Sequence, residues 1–510
     1  MGEIGWNDPV PIRAGSRDDR KPANQSNTRY RLDRQREAAA LTPPPAPART
    51  TSVNPRLPRL LVPLLGTFSL LAADRELHSF KKLHLDGYYW SEGATFGDLN
   101  RDGKPDAISG PYWWEGPDFV KRHEFYPATT TFTVKHPDGS EVRYPGFEGG
   151  LGKRNAYSND NFFSFVHDFN GDGWNDILTY GLPGTPAYLY INPAGRDGAW
   201  ERHTVFDAVD NESPTLADLF GNGHPLILCN SNGTFGYAGP DASGWKSKWP
   251  FTSISGKGPW GNFNHGLGFG DVNGDGRLDI LERGAWWEQP KPGAAAQLWT
   301  RHPAEFSPGG GAQMYAYDVN GDGLNDVITS VAAHGYGLGW YEQLKTRDAD
   351  GHPQFKAHVF MNKEKTENRY GVAFSQLHAV ELVDIDGDGL KDIVTGKCFW
   401  AHGPGGDPDP SAPSVLYWFQ LVRGTDGSVD WIPHLIDSDS GVGRQIGVAD
   451  VNGDGRPDLI IGNKKGTFVF LHQVRSVPEA EWQAKQPKVL FPQAGDQQLR
   501  AQDVIQRTGK

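Results

Sequence analysis

The chain has 510 residues with 64 Gly, 38 Pro, 12% aromatics and a formal net charge of −12. That acidity argues against a nucleic-acid partner, and only two cysteines, Cys229 and Cys398, rule out a disulfide framework. Abundant turn formers and aromatics favour an all-β chain of short strands.

Residues 1–52 are polar, Arg- and Pro-rich and aperiodic, and read as a disordered or mis-called extension. In residues 53–73, Arg56 and Arg59 precede a short apolar run, Leu60 to Ala73, that ends in small residues. This is the pattern of a secretory signal peptide, with translation expected to begin near Val53. The run is too short to span a bilayer. No later stretch could span one, so the mature chain is expected to be secreted or periplasmic, with no membrane span.

From 74 to 472 one acidic phrase recurs seven times. Its intact copies place oxygen-bearing side chains at positions 1, 3, 5 and 9. They are Asp98, Asn100, Asp102 and Asp106; Asp168, Asn170, Asp172 and Asp176; Asp271, Asn273, Asp275 and Asp279. The later three are Asp318, Asn320, Asp322 and Asp326; Asp384, Asp386, Asp388 and Asp392; Asp450, Asn452, Asp454 and Asp458. The third copy, Asp218 to Leu226, has Phe220 and Leu226 at ligand positions and is expected to hold no metal. Oxygen ligands around a Gly at position 6 suit a hard cation, so up to six structural Ca²⁺ ions are expected. An EF-hand would need a Glu at position 12, where only Glu282 supplies one.

Between the acidic phrases come an aromatic pair (Trp113-Trp114, Trp286-Trp287, Trp340-Tyr341, Tyr417-Trp418) and then an aromatic residue shortly before His123, His203, His302, His358 or His434. Each unit therefore reads as four strands. The first Asp recurs after 70, 50, 53, 47, 66 and 66 residues, a propeller period of roughly 40–50 residues with insertions. A matching outer-strand phrase, Phe80 to His84, precedes every acidic loop, while the seventh unit lacks one. The fold expected is a seven-bladed β-propeller of four-stranded blades, its N-terminal strand closing the last blade. Residues 473–510 read as an appended loop or short helix.

The acidic loops resemble the FG-GAP repeats of integrin α-chain propellers and the related VCBS repeats of secreted bacterial proteins, over about residues 75–472. That resemblance implies calcium in the hairpin loops of a seven-bladed propeller.

Equal offsets before each first Asp should mean equal depth around a central channel. Six residues before it stand Glu92, Phe162, Glu212, His265, Ala312, His378 and Arg444. By strand alternation the offset of eight should face the same way: Trp90, Asp160, Asp210, Phe263, Gly310, Gln376 and Val442. His334, Tyr336, Lys397 and His402 leave the second strands on that face. Mixed acids, imidazoles and a guanidinium in one concavity are the makings of an active site. His265, His378, Glu92, Glu212 and Arg444 are the catalytic candidates. Asp160, Asp210, Gln376, His334, Tyr336, Lys397 and His402 are the substrate-binding ones. A further divalent metal on His265 or His378 with a carboxylate is a candidate cofactor.

Phrases such as Gly110-Pro-Tyr-Trp-Trp-Glu-Gly116, Asp210-Asn-Glu-Ser-Pro214 and Asn264-His-Gly-Leu-Gly268 resemble the propeller domain of aldos-2-ulose dehydratases. That family eliminates water from keto-sugars, and the resemblance implies a small sugar or glycan as ligand. In such a reaction His265 or His378 would be base, Arg444 or a metal would hold the oxyanion, and Glu92 or Glu212 would be acid. A non-catalytic glycan- or protein-binding module, and a glycoside hydrolase using Glu92 and Glu212, are the alternatives.

Overall fold

The structure is a computed structural model and describes residues 74–149, 157–158, 161–196, 198–293 and 298–492. The expected extension, the signal peptide, Asp160 and the tail beyond 492 lie outside those residues. The chain divides between Ala72 and Ala73, and everything described belongs to the second part. No helix among the described residues is long and apolar enough to cross a membrane.

The described part is all-β but for a 3-10 turn and the helix Glu479–Lys485. Its strands repeat one antiparallel pattern. In the first repeat Thr95–Gly97, Asp106–Ser109, Tyr112–Trp114 and Arg122–Glu124 lie side by side in that order. The sixth repeats this with Val380–Val383, Asp392–Gly396, Leu416–Arg423 and Val429–Asp437. Repeats two and three share the strand Glu201–Ala217, whose register breaks between Asp210 and Thr215. Its first half is the outer strand of one repeat and its second half the inner strand of the next. Repeats four and five join through their inner strands, Leu267–Gly270 and Gln313–Tyr317, which run parallel. The hairpin Thr131–Lys135 with Glu141–Pro145 is inserted after the first repeat and accounts for its longer spacing.

The seventh repeat takes its outer strand from the start of the chain. Arg75–Asp86 pairs antiparallel with Gly466–Val477, setting His84 opposite Phe468. That last strand runs on to Val477, beyond residue 472, and the helix follows it.

The second strand of every repeat but the third is buried along its whole length, as in Asp176–Tyr180 and Asp326–Ser330, and in the third only Leu226 is partly exposed. Apolar runs covered on both faces dictate this, each Leu, Ile or Phe contributing roughly 1.5–3 kcal/mol. The core is partitioned into clusters shared by neighbouring repeats. Leu99, Ile108 and Trp113 meet Ile177 and Tyr190 between repeats one and two. Val394 and Trp418 meet Leu459 and Phe468 between six and seven. Ile460 and Val469 of the last repeat pack with Phe96 and Trp114 of the first.

The outer-strand histidines share one address. His123 stacks on Trp113 (4.0 Å between ring centroids, 12°), His302 on Trp286 (4.0 Å, 8°), His358 on Trp340 (4.3 Å, 8°) and His434 on Trp418 (4.3 Å, 15°). Nε2 of the first three meets Glu115, Glu288 or Glu342 at 2.7–2.8 Å.

Candidate functional site

Each acidic loop follows an inner strand directly, and its ninth residue, an Asp in all but the third loop, opens the next strand. The position-1 carboxylate accepts the amide of position 6 in every loop and, except in the sixth, that of position 5, as Asp98 does from Asp102 and Gly103. The Gly at position 6 has φ between +80° and +91° in all seven loops, a region that penalises any side chain. Each position-9 Asp is fully buried and accepts two amides. Asp392, for example, takes those of Ile385 (3.0 Å) and Leu421 (2.9 Å). In the sixth loop donor atoms of Asp384, Asp386 and Asp392 lie within 4.8 Å of one another. Burial, and then the neighbouring Asp386, push the Asp392 carboxyl up to about 8. A cation there would relieve both costs, so the donor set fits a hard divalent ion. The third loop keeps the same backbone shape through Asp218, which accepts Asn222 and Gly223 amides, without the other acids.

At the opposite ends of the inner strands the residues at offset six converge. Most stand just ahead of a strand rather than in one: Glu92 before Thr95, His265 before Leu267, His378 before Val380 and Arg444 before Ile446. Glu212 lies within Glu201–Ala217. One carboxylate oxygen of Glu212 is 3.4 Å from His265 Nε2 and the other 3.3 Å from Arg444 Nε. Arg444 Nη1 also donates toward Cys398 Sγ at 3.6 Å. The Arg444 amide donates to the Glu92 carbonyl, and a Cβ on Gly443 would come within 2.0 Å of that oxygen, so only glycine permits the approach.

Four imidazoles cluster beside this pair. The His334 ring lies 4.8 Å from His265, 4.5 Å from His378 and 4.2 Å from His402. His378 is buried with neither ring nitrogen hydrogen-bonded. His402 Nδ1 is 3.2 Å from Asp407. Burial, then Arg444 and the neighbouring histidines, push His334 down to about 2. The same causes hold His378 well below its ordinary range. Burial also lowers His265, against the pull of Glu212. Burial opposes charge on Arg444, but Glu212, Cys398 and Glu92 outweigh it and the guanidinium stays charged. The cluster thus sets the Arg444 cation and the Glu212 side chain beside three imidazoles, His265, His334 and His378, whose protonation burial opposes. Donor atoms of Glu212, His265 and His334 lie within 4.8 Å of one another, and these residue types suit a divalent transition ion.

Glu92 belongs to an adjoining group. Its Oε1 accepts Tyr89 OH at 2.7 Å and pairs with Lys464, whose ammonium also lies 4.4 Å from the Tyr157 ring.

The offset of eight does not form a second ring. Trp90 is buried in the apolar core, Phe263 is 57% exposed, and Asp210 sits in a ladder opposite Asn230. The alternation rule fails because most of these residues precede the strands, where the chain turns (Gln376 has φ 65° and Gly310 φ 76°), and Asp210 lies before the register break of its long strand. Gln376 donates to the His334 carbonyl at 2.9 Å, so it braces that histidine from behind. Tyr336 donates to Asp409 on an exposed loop. Lys397 is fully buried, and its Nζ has no hydrogen-bond partner. Sequence reasoning missed Asp407 and Tyr89. Asp407 lies in a Gly- and Pro-rich loop with no counterpart in other repeats, and Tyr89 stands nine residues before its aspartate.

Fold and site together define an all-β repeat protein with a buried, mixed-charge histidine cluster. A family model described as FG-GAP repeat matches residues 442–471, the last repeat with its acidic loop. Among solved structures the chain is similar to an Agrocybe aegerita lectin that recognises non-reducing terminal N-acetylglucosamine. Identity is 16% and the TM-score 0.38, covering 69% of this chain and 90% of that one. It is also similar to the V. cholerae biofilm matrix protein Bap1 (10% identity, TM-score 0.35, covering 80% and 92%). The exotype rhamnogalacturonan lyase YesX gives 13% and 0.34, covering 78% and 72%. At TM-scores below 0.5 these likenesses assign neither fold nor ligand to this chain.

Proposed function

We propose that this chain is a secreted, calcium-stiffened, seven-bladed β-propeller that eliminates water from a keto-sugar at its central histidine cluster. Closure is supported by the apolar cluster joining the last repeat to the first and by the N-terminal strand in the seventh sheet. Calcium is supported by the converging carboxylates of the sixth loop.

The observation that carries the chemistry is the pairing of a charged Arg444 and Glu212 with neutral, buried imidazoles. His378, with neither nitrogen engaged, takes the proton next to the carbonyl. Arg444 faces the enolate oxygen as negative charge develops. The proton held by His378 then leaves with the β-hydroxyl as water, so atoms balance without a co-reactant. Glu212, His265 and His334 are the residues that would hold a divalent ion, which would supply Lewis-acid polarisation of the carbonyl. A glycosidase pair is disfavoured, because Glu92 is tied to Lys464 and Glu212 to Arg444.

The test is a screen of keto-sugars for an ultraviolet-absorbing enone, with His378→Ala as control. Enone formation lost in the variant is the expected result. Sugar binding without turnover in the wild-type protein overturns the elimination and leaves a binding module.

A further inference from the structure

A second histidine cluster lies far from the channel residues in the repeat pattern, on the outer strand of repeat four. His302 is held twice: its ring stacks on Trp286, and Nε2 meets Glu288 Oε2 at 2.8 Å. A carboxylate on Nε2 fixes the hydrogen there and turns a lone pair outward at Nδ1. That nitrogen faces another histidine. His302 Nδ1 is 2.9 Å from Nδ1 of His352, with the rings nearly perpendicular (89°). The equivalent His123 and His358 have the same stack and the same carboxylate. Among the described residues no second histidine faces either of them.

His352 sits on the turn between the outer two strands of repeat five. Asp348, Asp350 and His352 bring donor atoms within 4.8 Å of one another. The turn is pre-shaped: Asp348 Oδ1 accepts the amides of Asp350 (3.0 Å) and His352 (2.8 Å), and Arg347 donates to the Gly351 carbonyl at 3.1 Å. Two imidazoles and two carboxylates, one imidazole oriented by a carboxylate behind it, form a donor set suited to zinc rather than calcium.

We propose that His302, His352, Asp348 and Asp350 form a metal site for a zinc-like divalent ion, fastening the outer edge of repeat four to the turn of repeat five. Two nitrogens about 2.0–2.1 Å from a tetrahedral ion stand about 3.3 Å apart, a few tenths of an ångström from the observed 2.9 Å; the carboxylates of Asp348 and Asp350, which converge on His352 rather than on His302, swing toward the same point to complete the site. The site is independent of the channel and of the elimination chemistry.

The test strips the full-length protein of metal, restores calcium, and measures zinc uptake by elemental analysis and cobalt(II) uptake by its visible spectrum. The background is His265→Gln/His334→Gln, which removes the channel donors. One zinc per chain is expected to remain there, with the cobalt spectrum of a tetrahedral nitrogen–oxygen site, and to vanish on adding His352→Gln. Asp350→Asn, which spares the turn's amide bonds, should weaken uptake at least tenfold. No uptake in that background, or uptake indifferent to His352→Gln, would mean that the two histidines share a hydrogen bond only.

Discussion

Glu212 bridges two basic residues from different repeats, with His265 at 3.4 Å on one oxygen and Arg444 at 3.3 Å on the other. Arg444 is 2% exposed, so its charge depends on that partner. Glu212→Ala should destabilise the protein by about 3–5 kcal/mol, since it strands a buried cation. Glu212→Ala/Arg444→Met should recover most of the loss. Urea unfolding of the three proteins measures it, and an additive double variant would show that the two groups do not interact.

Chelating calcium should lower the thermal midpoint. A ligand at 1,000 times its Kd contributes about 4 kcal/mol. Asp386→Ala should remove one ion from the count by native mass spectrometry, whereas Asp218→Ala should remove none, its loop lacking the other acids. Equal losses from both would refute the loop assignment.

His358, an outer-strand histidine held by its tryptophan and its glutamate, is expected to matter for packing alone. His358→Ala, losing its stack on Trp340 and its bond to Glu342, should cost about 0.5–1.5 kcal/mol. It should leave sugar turnover unchanged, as steady-state kinetics would check.

Stability should also fall with rising pH through Glu381. Burial pushes this carboxyl from 4.5 up to about 7, against a hydrogen bond from Tyr315 OH at 3.2 Å. Between those values the unfolded chain ionises first, so unfolding releases a proton and stability declines. The loss should be complete above about 7 and absent below 4.5. In saturating calcium, Glu381→Gln should flatten the midpoint-against-pH curve in that window. Parallel curves for the two proteins would exclude Glu381 as the source.

The repeat was legible because six of the seven loops carry acids at fixed positions and all seven a first Asp and a glycine at the sixth, so the aspartates themselves mark the register. Glu212, His265, His378 and Arg444 could be aligned by counting back six because the inner strands are of nearly equal length. Counting back eight failed at Trp90 and Phe263, since beyond the strand each connection takes its own path and side-chain alternation no longer holds. Asp407 lies in an insertion of its own repeat, where no internal copy exists to calibrate against, and the turn carrying His352 has a counterpart of equal length in repeat six that carries no histidine.

Arg75 and Glu479 are paired across 404 positions of sequence. The ribosome therefore makes the strand Arg75–Asp86 first and its partner Gly466–Val477 among the last. Until then the newborn segment has no sheet to join, and the growing polypeptide must be kept from pairing with strangers. Pairing across so long a separation is the kind of contact that slows folding. A nick in the link between Asp86 and the first repeat would leave that strand held by its pairing with Gly466–Val477 and by side-chain contacts such as Lys82 with Asp437 and Asp86 with Arg122.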